Sequence, residues 1–373
     1  MKNLLLITGA GASHGVINEG IISSEATGRI QFRPPLTKNL FYPPLPNSEE
    51  VGSPSEESGY ILTCLMEHPL AFQVGYDFHN RFGKNNEEAN LEKFLLGLKN
   101  NSKHIIKSKF WAIPLYLYDL FNQISNKYLP TPEGLPSNYR SLIEEISQSS
   151  YNQIIWLNLN YDLLADYAIK ISTNNALGNF NDYMELITRD GLKIKYTKPH
   201  GSVDWFKRIN DRSIEWKNIK SGNLPIDFEN RLSKEVYTRA LSQIKIDEDN
   251  AREHVFSKFP EGWYPAITAP IGQYDFINPR HIEKIKFELN KTDSILCIGF
   301  GALDSDILDL IKSNMPEIKR LQIVNETRAA GDQAHQRIVD YCPNVRKLNY
   351  IDVVFEGSFT QFIQKKSQGW FER

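Results

Sequence analysis

Five short segments stand at the ends of runs rich in β-forming residues: Gly9-Ala10-Gly11, Asn160-Tyr161-Asp162, His200-Gly201-Ser202, Gly299-Phe300-Gly301 and Asn325-Glu326. Their types suit chemistry on a small polar ligand. Gly9 and Gly11 carry no Cβ, so the backbone can turn sharply and let phosphates approach its N–H groups. A helix opening near Ala12 or Ser13 adds its positive end to the same spot. Asn, Asp, His and Glu supply donors, acceptors and protons. Each has a plain reading when taken singly. Asp162 sits where an N-cap belongs, Asn160 can satisfy a turn, a lone histidine is more often structural, and Gly299 and Gly301 suit ordinary turns. In an open α/β sheet, however, ligands bind beyond the carboxyl ends of the strands, and several polar ends together point to one shared cleft.

The elements that must hold these residues follow from periodicity. Leu4–Ile7 and Ile154–Leu157 are short, continuous apolar runs, the pattern of strands buried on both faces; Ser294–Ile298 reads as a buried strand and Leu321–Val324 as another strand. Ala266–Ala269 reads as a further short strand. Asp190-Gly191 predicts a hairpin turn, feeding the alternating Leu192, Ile194 and Tyr196. Helical sets with one apolar face occur at Leu91/Phe94/Leu95/Leu98, Leu117/Leu120/Phe121/Ile124 and Tyr139/Leu142/Ile143/Ile146. Further helices are predicted after Asp162, after Asn278-Pro279, after Asp304 and around Val236, Ala240 and Ile244. Residues 14–58 read as a long loop, with Thr37 able to cap a short helix through Leu40 and Phe41. Strands separated by helix-length spacers mean βαβ units. The expectation is an α/β, Rossmann-like, mostly parallel doubly wound sheet. It forms one domain over 1–373 with a helical insertion at approximately 59–150.

The first turn departs from the dehydrogenase fingerprint. In G-x-G-x-x-G spacing the third glycine would be at position 14, whereas here it is Gly15, and no acid-ended second strand follows about twenty residues on. A polar stretch with Arg33-Pro34-Pro35 comes instead. Composition excludes several classes. A net charge of −2 over 373 residues gives no global attraction to nucleic acid or anionic lipid. Cys64, Cys297 and Cys342 are too far apart for a disulfide framework or a zinc knuckle. No apolar run reaches the ~20 residues of a membrane helix, so the sequence reads as cytoplasmic.

Taken in order, Gly9-Ala10-Gly11-Ala12-Ser13, Leu159-Asn160-Tyr161-Asp162, His200-Gly201-Ser202, Gly299-Phe300-Gly301 with Asp304, and Val324-Asn325-Glu326 resemble the motifs of the sirtuin-like NAD-binding domain. The Asn-Tyr-Asp form and the segment Asn90-Leu91-Glu92-Lys93-Phe94-Leu95 resemble its prokaryotic antiviral-defence branch. Sirtuin deacylases carry a four-cysteine zinc module soon after the His-Gly-Ser motif. Residues 203–262 contain no cysteine, and the defence branch, whose members hydrolyse NAD, is similar in lacking that module.

The resemblance implies NAD+ glycohydrolysis, with NAD+ as substrate and no metal. Asn160 would position water or ribose, His200 would be the general base and Asp162 would face the nicotinamide amide. Gly9, Ala10 and Gly11 would cradle the diphosphate, and Ser13 and Arg33 would line the pocket. Gly299, Gly301, Asn325 and Glu326 would hold the adenosine end. Alternatives are a deacylase or ADP-ribosyltransferase, a module that binds NAD without turnover, and a structural subunit. The expected setting is a homo-oligomer that depletes NAD in anti-phage defence (abortive infection). Its activator would be a separate chain, such as a HerA-like translocase ATPase or a nucleic-acid-guided protein.

Overall fold

The computed structural model describes residues 3–15, 34–41, 56–82, 88–128, 137–172, 187, 191–238, 262–271, 276–345, 353–365 and 367–371. Its centre is β1 (Asn3–Thr8), buried along its whole length. Successive side chains of a strand point to opposite faces. Leu4 and Leu6 therefore enter one apolar core, with Ile154 and Trp156, while Leu5 and Ile7 enter another, with Ile155, Leu157 and Cys297. A strand apolar on both faces needs cover on both, and that requirement generates the layers.

Around β1 stand β2 (Gln153–Asn158), β3 (Ile194–Thr197), β7 (Ser294–Ile298), β8 (Arg320–Asn325) and β9 (Val354–Glu356) in the order β3-β2-β1-β7-β8-β9. All five pairings are parallel. This is a Rossmann-like doubly wound sheet, and its strand order reverses between β1 and β7, the position at which such sheets bind ligands. One face is covered by α6 (Ser137–Gln148), α7 (Leu164–Ser172) and α12 (Phe359–Lys365). The other is covered by α9 (Pro279–Leu289), α10 (Ser305–Asn314) and α11 (Arg328–Tyr341).

Between β1 and β2 the described chain is helical: α1 (Ala10–His14), α2 (Glu56–Met66), α3 (Pro69–Phe82), α4 (Glu88–Lys99), α5 (His104–Tyr128) and α6. The apolar sets read from the sequence are the buried faces of α4, α5 and α6. A separate antiparallel sheet, in the order β5-β4-β6, joins β4 (Gly201–Arg208), β5 (Tyr237–Thr238) and β6 (Trp263–Ile267). No described helix is long and apolar enough to cross a membrane.

Four local expectations change. β3 pairs with β2 in parallel and is buried throughout, so its alternation reflects an edge covered on both faces and not a half-exposed hairpin arm. The expected strand at Ala266–Ala269 is instead Trp263–Ile267, antiparallel to β4. Residues 237–238 are strand where a helix was expected around Val236, while Ala240 and Ile244, like Asp190, lie outside the described residues. The short helix Thr37–Asn39 is a 3₁₀ turn whose N-cap is Leu36, without a side-chain cap.

The turns after β1 and β7 interlock. Gly299 adopts φ +60, and a Cβ on it would lie 2.2 Å from the Ala12 nitrogen. Substituting Gly299→Ala is therefore expected to cost about 2–5 kcal/mol, the sum of left-handed strain and overpacking. Gly191 also has positive φ (+81) but has nothing within 4 Å of its Cβ position; Gly191→Ala should cost only the strain, about 1–2 kcal/mol. Denaturant unfolding of the two variants measures the difference, and equal losses would show that the contact between the turns adds nothing.

Candidate functional site

Gly9, Ala10, Gly11, Ser13, Asn160, Asp162, His200, Gly299, Gly301, Asn325 and Glu326 all line one cavity of about 560 Å³ at the carboxyl ends of the parallel strands. Arg33 lies outside the described residues; its neighbour Pro34 lines the cavity. The volume is that of an ordinary small-molecule site.

The glycine turn is shaped differently from its sequence reading. The helix begins at Ala10, with Gly9 as N-cap. The Gly9 N–H donates to Ile298 O (3.0 Å) and the Gly11 N–H to Gly299 O (3.2 Å). These two donors, expected to face phosphates, are committed to the β7 turn. The glycines are needed for the close approach of two backbones, and they leave a floor without side chains.

Asn160 is held from three sides. Its N–H donates to Asn158 Oδ1 (3.2 Å), and its Nδ2 donates to Gly9 O (3.0 Å) and Tyr139 Oη (3.2 Å). A backbone carbonyl only accepts, so the amide orientation is determined. That leaves Oδ1, which accepts no hydrogen bond from the described residues, for the cavity. Asn158 in turn accepts from Thr8 Oγ1 (3.0 Å) and donates to Tyr196 Oη (2.7 Å). Tyr196 Oη donates to Asp166 Oδ2 (3.0 Å).

The network ends on a buried ion pair. Lys198 Nζ lies 3.1 Å from Asp166 Oδ2, and neither side chain is exposed. Lys198 also donates to the backbone carbonyls of Asp162 and Tyr161. A cation placed three residues after the β3 core position Lys195 thus clamps the loop that carries Asn160 and Asp162. Two buried charges are costly unless paired and hydrogen-bonded; here both conditions are met.

Asp162 stands two residues before α7, one place outside the expected N-cap position. Oδ1 accepts from the Leu164 N–H (3.1 Å), the expected helix-start bond. Oδ2 is buried and meets no donor in hydrogen-bond geometry among the described residues. Burial pushes its carboxyl above the usual range, against the pull of the Lys198 charge, the Leu164 N–H and the nearby Ser13 hydroxyl.

His200 occupies the turn between β3 and β4. Gly201 after it has φ +86, and its Cβ position would fall 1.8 Å from Ala266 O, so only glycine fits there. The ring Nε2 lies 2.5 Å from Asp304 Oδ2, and both residues are buried. Asp304 Oδ1 also caps α10 through the N–H groups of Asp306 (3.0 Å) and Ile307 (3.1 Å). One carboxylate therefore starts a helix with one oxygen and orients the imidazole with the other.

Sequence reasoning missed three partners. Asp304 was legible as a cap but not as the histidine's partner. Tyr139 was counted in an apolar face, yet its hydroxyl, whose pKa is raised chiefly by burial, bridges Ser13 Oγ (3.0 Å) and Asn160. Lys198 stands in a run of otherwise buried residues, which was the one available signal. The cysteines take no part. All three are buried free thiols, with burial raising each pKa, that of Cys342 to about 11. Among the described residues no group of His, Cys, Asp and Glu could hold a metal ion.

No family model matches the chain, and no curated protein shows significant similarity to it.

The Asp162 shift carries a stability consequence. A carboxyl with a raised folded pKa penalises folding once the unfolded chain ionises, above about pH 4. The penalty grows until the folded pKa is passed and is absent at lower pH. Asp162→Asn keeps Oδ1 for Leu164 and removes the titration. The stability of this variant relative to the parent should rise as pH increases from about 4. Denaturant unfolding across pH 4–8 measures it, and a pH-independent difference would refute the assignment.

Proposed function

We propose that this chain is a sirtuin-like NAD+ glycohydrolase, converting NAD+ and water to nicotinamide, ADP-ribose and a proton. The observation that carries the reading is Asn160, whose Oδ1 accepts no hydrogen bond from the described residues, lining a cavity shared with the His200–Asp304 pair. Nicotinamide leaves as a neutral group, so the site must stabilise positive charge at the anomeric carbon and supply a water. Asn160 Oδ1 accepts from that water or from a ribose hydroxyl. His200, held in orientation by Asp304, takes the proton as the water attacks. Asp162 Oδ2 meets the nicotinamide carboxamide. The glycine floor leaves room for the dinucleotide backbone across the strand reversal.

The motif order favours the antiviral-defence branch of that family, and with it a role as an NAD-depleting effector in an oligomer released by a separate activator chain. Such an enzyme must be silent until triggered, so assays include candidate partners.

Free nicotinamide released from NAD+ is the direct measurement. His200→Ala should lower turnover by about 10²–10⁴-fold, the usual contribution of a positioned base. Asp304→Asn keeps the helix cap yet loses an acceptor for the imidazole, and should fall in the same range. Asn160→Ala should keep NAD+ affinity within about tenfold, about 1.4 kcal/mol, while losing most turnover, because its contact matters where charge develops. Tight binding with intact NAD+ recovered under every condition would instead make the chain a binding module.

A further inference from the structure

The described cavity is poor in positive charge. It is lined by four acids, Glu92, Asp162, Asp304 and Glu326, and its only lysine or arginine among the described residues is Arg337. The two glycine N–H groups that a phosphate would seek are bonded to Ile298 and Gly299. A dinucleotide brings two negative charges, and their partner must come from elsewhere.

Arg337 lies on α11, two turns beyond Ala330 and about one turn beyond Gln333, which line the same cavity. Its Nη1 donates to Gly301 O at 2.7 Å. That single bond fixes the guanidinium at the rim of the β7 turn. Among the described residues no carboxylate forms an ion pair with it, and no hydrogen bond beyond that to Gly301 O is made. At the end of β8, Asn325 Nδ2 is a buried donor without a hydrogen-bond partner among the described residues, and Asn325 lines the cavity as well. The β2 and β8 ends are three strand steps apart, about 14 Å at about 4.8 Å per step. The Arg337 guanidinium is held at the turn after β7, two strand steps from the β2 end that carries Asn160.

We propose that Arg337, steered by Gly301 O and sharing the cavity with Asn325 Nδ2, is the anion subsite that binds the diphosphate bridge of the dinucleotide. This rests on the NAD+ reading. The fork of a guanidinium suits two phosphate oxygens, and the neutral glycine floor beside it gives the bridge room without supplying charge.

The test is calorimetric binding of ADP-ribose, ADP and adenosine to the full chain. Arg337→Met should weaken ADP-ribose and ADP by about 10- to 100-fold, the range for losing a charge-assisted hydrogen bond, and leave adenosine unchanged. Arg337→Gln keeps a donor for Gly301 O but no charge, and should weaken the phosphorylated ligands comparably. The parent's affinity for ADP should fall with salt more steeply than that of either variant. Wild-type ADP affinity in folded Arg337→Gln would make Arg337 a brace for the β7 turn and overturn the proposal. So would an equal loss for adenosine, or a parent chain that binds neither ADP nor ADP-ribose. A parent that binds ADP-ribose through Arg337 but never releases nicotinamide would defeat the hydrolase reading and leave the subsite standing.

Discussion

The structure depends on how closely two turns approach at the strand reversal. The carbonyls of Ile298 and Gly299 accept from the N–H groups of Gly9 and Gly11, and any side chain at Gly299 would overlap the first turn. This contact joins the two halves of the sheet at their carboxyl ends. It also consumes two of the backbone donors, those of Gly9 and Gly11, that a glycine-rich turn commonly offers to phosphate. The same residues therefore serve packing of the two turns first.

Beneath the cleft runs a buried polar chain from Thr8 through Asn158 and Tyr196 to Asp166 and Lys198. Trp156 joins it by donating to Thr8 Oγ1 at 2.9 Å. Such networks strengthen in low dielectric when every member is paired and are costly when one is lost. Removing one partner of a buried ion pair costs about 3–5 kcal/mol. Here the network fixes three adjacent strands and the loop after β2 in one geometry. The second sheet completes the arrangement. Val203 N donates to Tyr161 O (3.1 Å), and Tyr161 Oη donates to Thr268 O (2.7 Å), so the β4 and β6 ends are tied to the loop bearing Asn160.

The helices between β1 and β2 are part of the same site. Tyr139 of α6 reaches both Ser13 and Asn160, and Glu92 of α4 and Phe121 of α5 line the cavity. A displacement of α6 would therefore be felt at the Asn160 amide. This is a physical route by which an event at the helical layer could alter the cleft.

Much of the architecture could be read from the chain alone. Short, mainly apolar runs with polar or glycine ends located β1, β2, β7 and β8, because strands buried on both faces carry few polar residues, and those they do carry, such as Thr8, Asn158 and Gln322, are hydrogen-bonded. The same rule identified the cavity residues, since carboxyl ends of parallel strands share one edge. Pairing was not legible. His200 and Asp304 are 104 positions apart, and Asp304 has a sufficient local role as a cap. Lys198 finds Asp166 only because β3 lies beside β2. Tyr139 reads as one more apolar position, because helical periodicity reports which face is buried and not what a hydroxyl on that face meets. The occupancy of the Gly9 and Gly11 donors was decided by the distance between two turns almost three hundred residues apart. Local pattern reports the state of one segment against solvent; hydrogen-bond partners depend on which segments the fold brings within reach.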